Sequence, residues 1–362
     1  MEWEPKGIWM RLGGAGIATG LGLVVVLGAT GSGAGEGTGN GRIAFVRNAD
    51  NGETDVASIK PSGRGRLNLT RSEPNEQYVD VSPDGRWVAF ARFGRNGGEI
   101  YKVPSAGGEA VRLTKDRVND ELPIWSPDSQ RLAFVRYVGN EDPEIFVMDA
   151  DGTNRERVTD DLATDADPRW SPDGTRLVYI TGEIDDHSQD IVMVTLGEPG
   201  TTVLTDQGVN DSFAEWSPDG TQIVYASHRD DQWDLYLVTV DGVISSTQLT
   251  TDPVDDYAPE WSPDGSRLLF VRGRLEGNEP ADRVYVLNAD GTGELAVSRE
   301  RLQGFSPDWS PNGAKIVFIG QVPADPLPEW ELFTVKADGS EHTRLTRTAA
   351  QEFDPEWGPR PQ

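Results

Sequence analysis

The sequence predicts an all-β chain folded as a seven-bladed β-propeller, and three observations predict it. The phrase Trp216-Ser217-Pro218-Asp219-Gly220 returns in near copies, with its serine at 82, 126, 171, 217, 262 and 310, and a worn copy, Trp357-Gly358-Pro359, near the end. Successive serines are 44, 45, 46, 45 and 48 residues apart, the period of a four-stranded propeller blade. Seven continuous apolar runs occur, one more than the clear copies of the phrase. The first run has no tryptophan-type strand before it, and Phe353 to Trp357 has no apolar run after it. A ring closes when that last strand pairs with the first run, which removes both exposed sheet edges.

Each repeat then reads as four strands in order. The apolar run comes first: Ile43-Ala44-Phe45-Val46, Val88-Ala89-Phe90, Leu132-Ala133-Phe134-Val135, Leu177-Val178-Tyr179-Ile180, Ile223-Val224-Tyr225, Leu268-Leu269-Phe270-Val271 and Ile316-Val317-Phe318-Ile319. A strand covered on both faces loses polar alternation, as a blade between two blades requires. A second strand such as Ile145-Phe146-Val147-Met148 follows, then a hairpin turn at Asp151-Gly152, Asp241-Gly242, Asp290-Gly291 or Asp338-Gly339, where glycine accepts the positive φ. The third strand ends in a hydroxyl residue in every copy: Thr70, Thr114, Thr159, Thr205, Thr250, Ser298 and Thr346. The fourth is closed by Trp125, Trp170, Trp216, Trp261, Trp309 or Trp357, with Val81 in the first copy. The Ser-Pro-Asp-Gly turn returns the chain to the next apolar run.

Residues 1–40 read as a signal peptide or N-terminal membrane anchor with a Gly-rich linker, and 41–359 as the propeller. Residues 12–35 carry no charge, and Leu21 to Leu27 is an apolar centre preceded by Lys6 and Arg11, the pattern of an export signal. Ser32-Gly33-Ala34 offers a cleavage site. Glu2 and Glu4 sit oddly in a region that should be basic, and a start at Met10 would leave Arg11 leading a cleaner signal. The expected location is outside the cytoplasm, periplasmic, at the cell surface or anchored, with membrane contact only through this segment.

The chain has 33 Lys and Arg against 60 Asp and Glu, a formal net charge of −27. That field repels phosphate backbones, so nucleic acid is an unfavourable partner. There is no cysteine, which excludes disulfides, zinc-thiolate sites, a thiol nucleophile and a lipidated cysteine anchor.

The phrase Asp167-Pro168-Arg169-Trp170-Ser171-Pro172-Asp173-Gly174, followed by Arg176-Leu177-Val178-Tyr179, resembles the WD40-like repeat of TolB-type propellers over about 320 residues from Gly41 to Pro359. Similar phrases occur in the propellers of dipeptidyl-peptidase IV and prolyl-oligopeptidase relatives. The resemblance implies a propeller and leaves binding scaffold and enzyme both open. Two departures matter. TolB carries an N-terminal α/β domain and fewer blades, for which the stretch before Gly41 leaves no room. The peptidases add an α/β-hydrolase domain, and no Gly-x-Ser-x-Gly elbow occurs in this sequence.

Five residues before each terminal aromatic stand Glu76, Asp120, Asp165, Asp211, Asp256, Gly304 and Glu352. If the fourth strand is innermost, these six carboxylates ring one mouth of the central tunnel and favour a cation, Ca2+ among them, or a basic peptide. Alternatively each binds the backbone of its own loop. Asp149-Ala150-Asp151-Gly152 has the start of a calcium loop without its distant glutamate and reads as a hairpin turn. His187 and His228 fall in equivalent loops beside Asp185, Asp186, Asp230 and Asp231, and could form a metal or acid-base pair of the kind some exported propeller lyases use. The repeat tryptophans are expected between blades, and Trp233 and Trp330, out of register, at the surface. The resulting expectation is an exported, non-catalytic scaffold without a resident cofactor that binds a protein or peptide of basic character. The alternatives are a metal-dependent carbohydrate-active lyase or hydrolase, or a subunit of a separate hydrolase.

Overall fold

A computed structural model describes residues 39–361 apart from 49–51, 72–74, 96, 140–141, 162, 183–187, 206–207, 274–281, 300–301, 303, 323–328 and 349. Residues 1–38 of the expected signal peptide or anchor segment, and His187, therefore lie outside the described residues. Seven antiparallel four-stranded sheets form the chain. Blade one takes its innermost strand from the C-terminus: Glu352–Pro359 pairs with Asn40–Asn48, which pairs with Thr54–Ile59 and then Leu67–Asn68. The register Ile43 to Trp357 and Arg47 to Glu352 closes the ring, as the unmatched ends require. Blades two to seven run in chain order, with innermost strands Asn75–Val81, Asp120–Trp125, Thr164–Trp170, Asn210–Trp216, Asp255–Trp261 and Gly304–Trp309. No helix among the described residues is long and apolar enough to cross a membrane.

The apolar runs form the second strand of each blade. Their aromatics, Phe45, Phe90, Phe134, Tyr179, Tyr225, Phe270 and Phe318, are buried at the same point of every blade. Several pack on an aromatic of the third strand: Phe90 on Tyr101, Phe270 on Tyr285 and Phe318 on Phe333, with centroids 5.7, 5.5 and 5.7 Å apart. Burying a side chain of this size contributes roughly 1.5–3 kcal/mol, so the repeated ring supplies much of the core. The repeat tryptophans are buried between blades. The indole N–H of Trp170 donates to the Ile124 carbonyl of the preceding blade, and that of Trp216 to the Arg169 carbonyl, both at 3.2 Å.

The Ser-Pro-Asp-Gly turn has a polar skeleton that explains its composition. The Ser171 hydroxyl donates to Asp173 at 2.5 Å and accepts the Arg176 N–H at 2.9 Å, while Gly174 takes the left-handed φ of 68°. The arginine after the turn reaches onward to the next blade. Arg131 lies 4.7 Å above the Trp170 ring and donates to the Gly174 carbonyl at 2.7 Å, and Arg176 repeats the contact with Trp216 and Gly220. A cation over an indole face adds to the packing.

Every innermost strand carries one extra residue. Pairing with the second strand advances three residues against two between Gln77 and Asp80, Glu121 and Ile124, Ala166 and Arg169, Ser212 and Glu215, Tyr257 and Glu260, and Phe305 and Asp308. The same shift lies between Phe353 and Glu356. The residue in the bulge has left-handed φ each time: Tyr78, Leu122, Asp167, Phe213, Ala258, Ser306 and Asp354. None of these is glycine, so a costly conformation is held seven times by the surrounding packing.

Candidate ligand-binding axis

The bulge decides which side chains face the axis. In a regular strand, residues five apart point to opposite faces; one inserted residue puts them on the same face. The carboxylates five before the tryptophan therefore point, with the tryptophan, at the preceding blade. Glu76 receives the Thr70 hydroxyl and, at 3.1 Å, the Val56 N–H, both from blade one. That hydroxyl also accepts the Val56 N–H at 2.9 Å. The hydroxyl-to-amide bond recurs at Thr114, Thr159, Thr205, Thr250, Ser298 and Thr346 with Ile100, Ile145, Ile191, Leu235, Val284 and Leu332.

All six predicted carboxylates, Glu76, Asp120, Asp165, Asp211, Asp256 and Glu352, are fully buried at these junctions. They occupy seams between blades, where the sequence reading has an open ring at the tunnel mouth or bonds within each residue's own loop. Their charge is handled in two ways. Arg92 binds Glu76, Arg136 binds Asp120 and Arg272 binds Asp256, with closest distances of 2.7 Å. Asp165 and Asp211 face hydroxyls in place of that arginine, Thr181 and Ser227 respectively. Burial pushes the Asp165 carboxyl up to about 7 against the Thr181 and Thr159 hydroxyls, and it also raises Asp211. Burial raises Asp256 to about 6 even beside Arg272, and Glu352 to about 7.

The residues that converge on the axis stand immediately before the terminal tryptophans, or before Val81 in the first copy: Asp80, Ile124, Arg169, Glu215, Glu260, Asp308 and Glu356. All are buried. Asp80 accepts the Trp125 N–H of the next blade at 2.6 Å, Glu260 that of Trp309 at 3.3 Å, and Asp308 that of Trp357. Groups from blades far apart in sequence act on one another here. Burial raises Asp80 to about 8, opposed by the Trp125 amide and Arg169 and reinforced by Asp308. Burial raises Glu215 to about 8, opposed by Arg169. Glu260 and Glu356 are held well above the carboxylate range by burial and then by Asp308.

Five axial carboxylates thus share the axis with one guanidinium, and Asp167 from the bulge is a sixth acid beside it. Arg169 pairs with Asp167 at 2.7 Å and lies 3.6 Å from Glu215. One buried oxygen each of Asp80, Asp308 and Glu356 has no hydrogen bond. Asp167 keeps 20% of its side chain exposed, so the cluster reaches solvent there. These seven positions escape a reading that counts back along a regular strand; the signal available was the charged residue before Val81 and before five of the six terminal tryptophans.

The other sequence candidates separate from this axis. His228 packs its ring on Trp233, with centroids 5.2 Å apart. Trp233 is buried, also against Phe213, so the expectation of a surface tryptophan is corrected: the strand Gln232–Thr239 turns it inward. Trp330 is half-buried, edge-on to Phe305 at 4.7 Å. Asp151 accepts the Thr153 N–H and hydroxyl at 2.9 and 2.6 Å, an ordinary hairpin turn. Glu99, Asp116 and Asp120 lie close enough to share an ion, but Arg112, Arg136 and Arg155 already pair with them.

Comparison with known proteins places this geometry. An uncharacterized protein of Agrobacterium fabrum is 30% identical over 92 residues, 25% of this chain and 30% of that protein. The uncharacterized peptidase YuxL of Bacillus subtilis is 30% identical over 105 residues, 27% of this chain and 16% of that protein. The alignments therefore span under a third of either relative. Among solved structures, a TolB from Agrobacterium tumefaciens described as putative aligns with TM-score 0.56 at 22% identity, covering 75% of this chain and 95% of that one. Oligogalacturonate lyase from Vibrio parahaemolyticus aligns with TM-score 0.61 at 16% identity, covering 85% of each. A puromycin-hydrolyzing peptidase of Mycobacterium tuberculosis reaches 0.66 at 14% identity, covering 84% of this chain and 52% of that one. At these identities the likeness is one of fold. The family model of the TolB beta propeller domain matches residues 33–183 and 122–361, and the chain belongs to that family.

Proposed function

We propose that this chain is an extracytoplasmic, non-catalytic scaffold that captures a protein or peptide by drawing a basic side chain toward its acidic axis. The observation that carries the reading is the axial imbalance: six carboxylates, Asp167 included, share the axis with the Arg169 guanidinium, with unbonded buried oxygens on Asp80, Asp308 and Glu356. A cation entering there would favour the ionised form of these buried acids, each of which burial now holds toward its protonated form. The net charge of −27 would steer basic partners and select the sign of charge, while affinity would come from desolvated anchors. The charge-free stretch 12–35, with its apolar Leu21 to Leu27 centre behind Lys6 and Arg11, supports a location outside the cytoplasm.

Binding of a labelled hexa-arginine peptide, followed by fluorescence anisotropy at low and moderate salt, tests this. The paired change Asp308→Asn with Glu356→Gln should weaken binding at least tenfold and flatten its salt dependence, and hexa-glutamate should not bind. Equal affinity in the variant removes the reading. Competition by Ca2+ alone at micromolar concentration assigns the axis to a metal ion instead. The lyase alternative would require polysaccharide turnover that His228→Ala abolishes.

A further inference from the structure

A second site lies away from the axis, in a cavity of about 360 Å³ on blade seven. Its walls are Arg299, which follows the outermost strand of blade six, Leu302, Gln321, Val322, Phe333 of the third strand, and His342 and Arg344 at the outermost strand. The composition runs against the rest of the molecule. In a chain of net charge −27, two guanidiniums and an imidazole meet around an apolar floor. The volume falls within the range of small-molecule sites, in which a few polar groups orient a ligand on apolar walls.

The two arginines differ. Arg344 is committed, donating to the buried carboxylate of Glu331 at 2.7 Å and to the Thr346 carbonyl at 2.9 Å. Arg299 is exposed and makes no ion pair among the described residues. Glu341, next to His342 in the outer hairpin, is engaged by Lys336. His342 is half-buried, and burial followed by the Arg299 charge lowers its pKa, opposed by the Gly339 backbone. It is therefore a neutral hydrogen-bonding group at pH 7, and its Nδ1 is buried without a hydrogen bond. An uncommitted guanidinium suits a carboxylate, which it can grip with paired N–H donors, and Phe333, Leu302 and Val322 suit a ring or branched chain beside it.

We infer that this cavity binds a small monocarboxylate with an apolar body, its carboxylate on Arg299 and His342 and its apolar part on Leu302, Val322 and Phe333. The site is independent of the axial reading. It is tested with 4-fluorobenzoate, whose 19F signal should broaden and shift on titration with the full chain. Arg299→Gln, an exposed change that leaves the core untouched, should weaken binding at least tenfold, and His342→Gln several-fold. The matched cation 4-fluorobenzylamine should bind at least tenfold more weakly than the carboxylate. The inference is overturned if the wild-type chain leaves the 4-fluorobenzoate signal unchanged at millimolar concentrations, if Arg299→Gln binds it equally well, or if the amine binds as tightly.

Discussion

Asp80 in blade two accepts the backbone N–H of Trp125 in blade three, at 2.6 Å and out of contact with water. Asp308 and Glu260 make the same bond to the blades that follow them. The axis is thus stitched by buried acids, and in Asp80 and Asp308 the other oxygen has no hydrogen bond, from which several consequences can be measured.

Stability should fall as pH rises from 5 to 8.5. Asp80 and Glu215 are raised to about 8, and Asp308, Asp165, Glu352 and Asp354 to about 7. The folded chain keeps protons that the unfolded chain releases near pH 4. Their contribution is therefore complete below the unfolded values and lost as pH passes through 7 to 8. Thermal melts at constant ionic strength should show Tm decreasing over that window. A flat or rising profile contradicts the assignment.

Replacing Arg169 by Met should cost about 3–5 kcal/mol at pH 8, because it leaves Asp167, Glu215 and their neighbours as uncompensated buried acids. The loss should shrink at pH 5, where Glu215, raised to about 8, takes up its proton. Urea denaturation at the two pH values measures the difference, and an equal cost at both would count against an electrostatic role.

Asp120 and Asp165 occupy equivalent junctions but should respond differently to amide substitution. Asp120→Asn weakens the pairing of Arg136, which keeps only Asp116 as an anionic partner, and should cost about 3 kcal/mol. Asp165→Asn meets only the hydroxyls of Thr159 and Thr181 and should change stability by about 1 kcal/mol or less. Chemical denaturation of both variants at pH 7 decides; equal losses would mean that the arginine is not what distinguishes the junctions.

A chain ending at Thr348 lacks the innermost strand of blade one and leaves Asn40–Asn48 as a bare edge. It should melt lower, lose cooperativity and self-associate on a sizing column. Adding a synthetic peptide of residues 350–362 should restore the monomer. A monomeric truncation with unchanged Tm would mean that closure contributes little.

Repeat period, strand order and ring closure were all legible in the sequence, because the Ser-Pro-Asp-Gly turns and doubly buried runs are local signals and the unmatched ends leave one way to close. The role of the carboxylates was not. Counting back from Trp170 to Asp165 presumes regular alternation, and the left-handed residue at Asp167 breaks it, sending Asp165 into a seam and Arg169 to the axis. One clue to the seam was present. The hydroxyl and the acid are always six residues apart, as in Thr70 and Glu76 or Thr205 and Asp211, a fixed interval suited to two groups that bond each other. Trp233 was misread for a related reason: being out of register with the repeat says nothing about which face of its own strand is covered.

The constancy of that interval also tells where the repeat is free to vary. From the hydroxyl through the acid to the next apolar run the count never changes, whereas the step from the apolar run to the third strand spans 12 residues from Val88 to Ile100 and 16 from Leu268 to Val284. The connections in that step all lie on the rim where the innermost strands begin. Novelty in this architecture accumulates on one rim, while the opposite rim, built from the repeated turns, works as an invariant chassis onto which new recognition loops can be grafted.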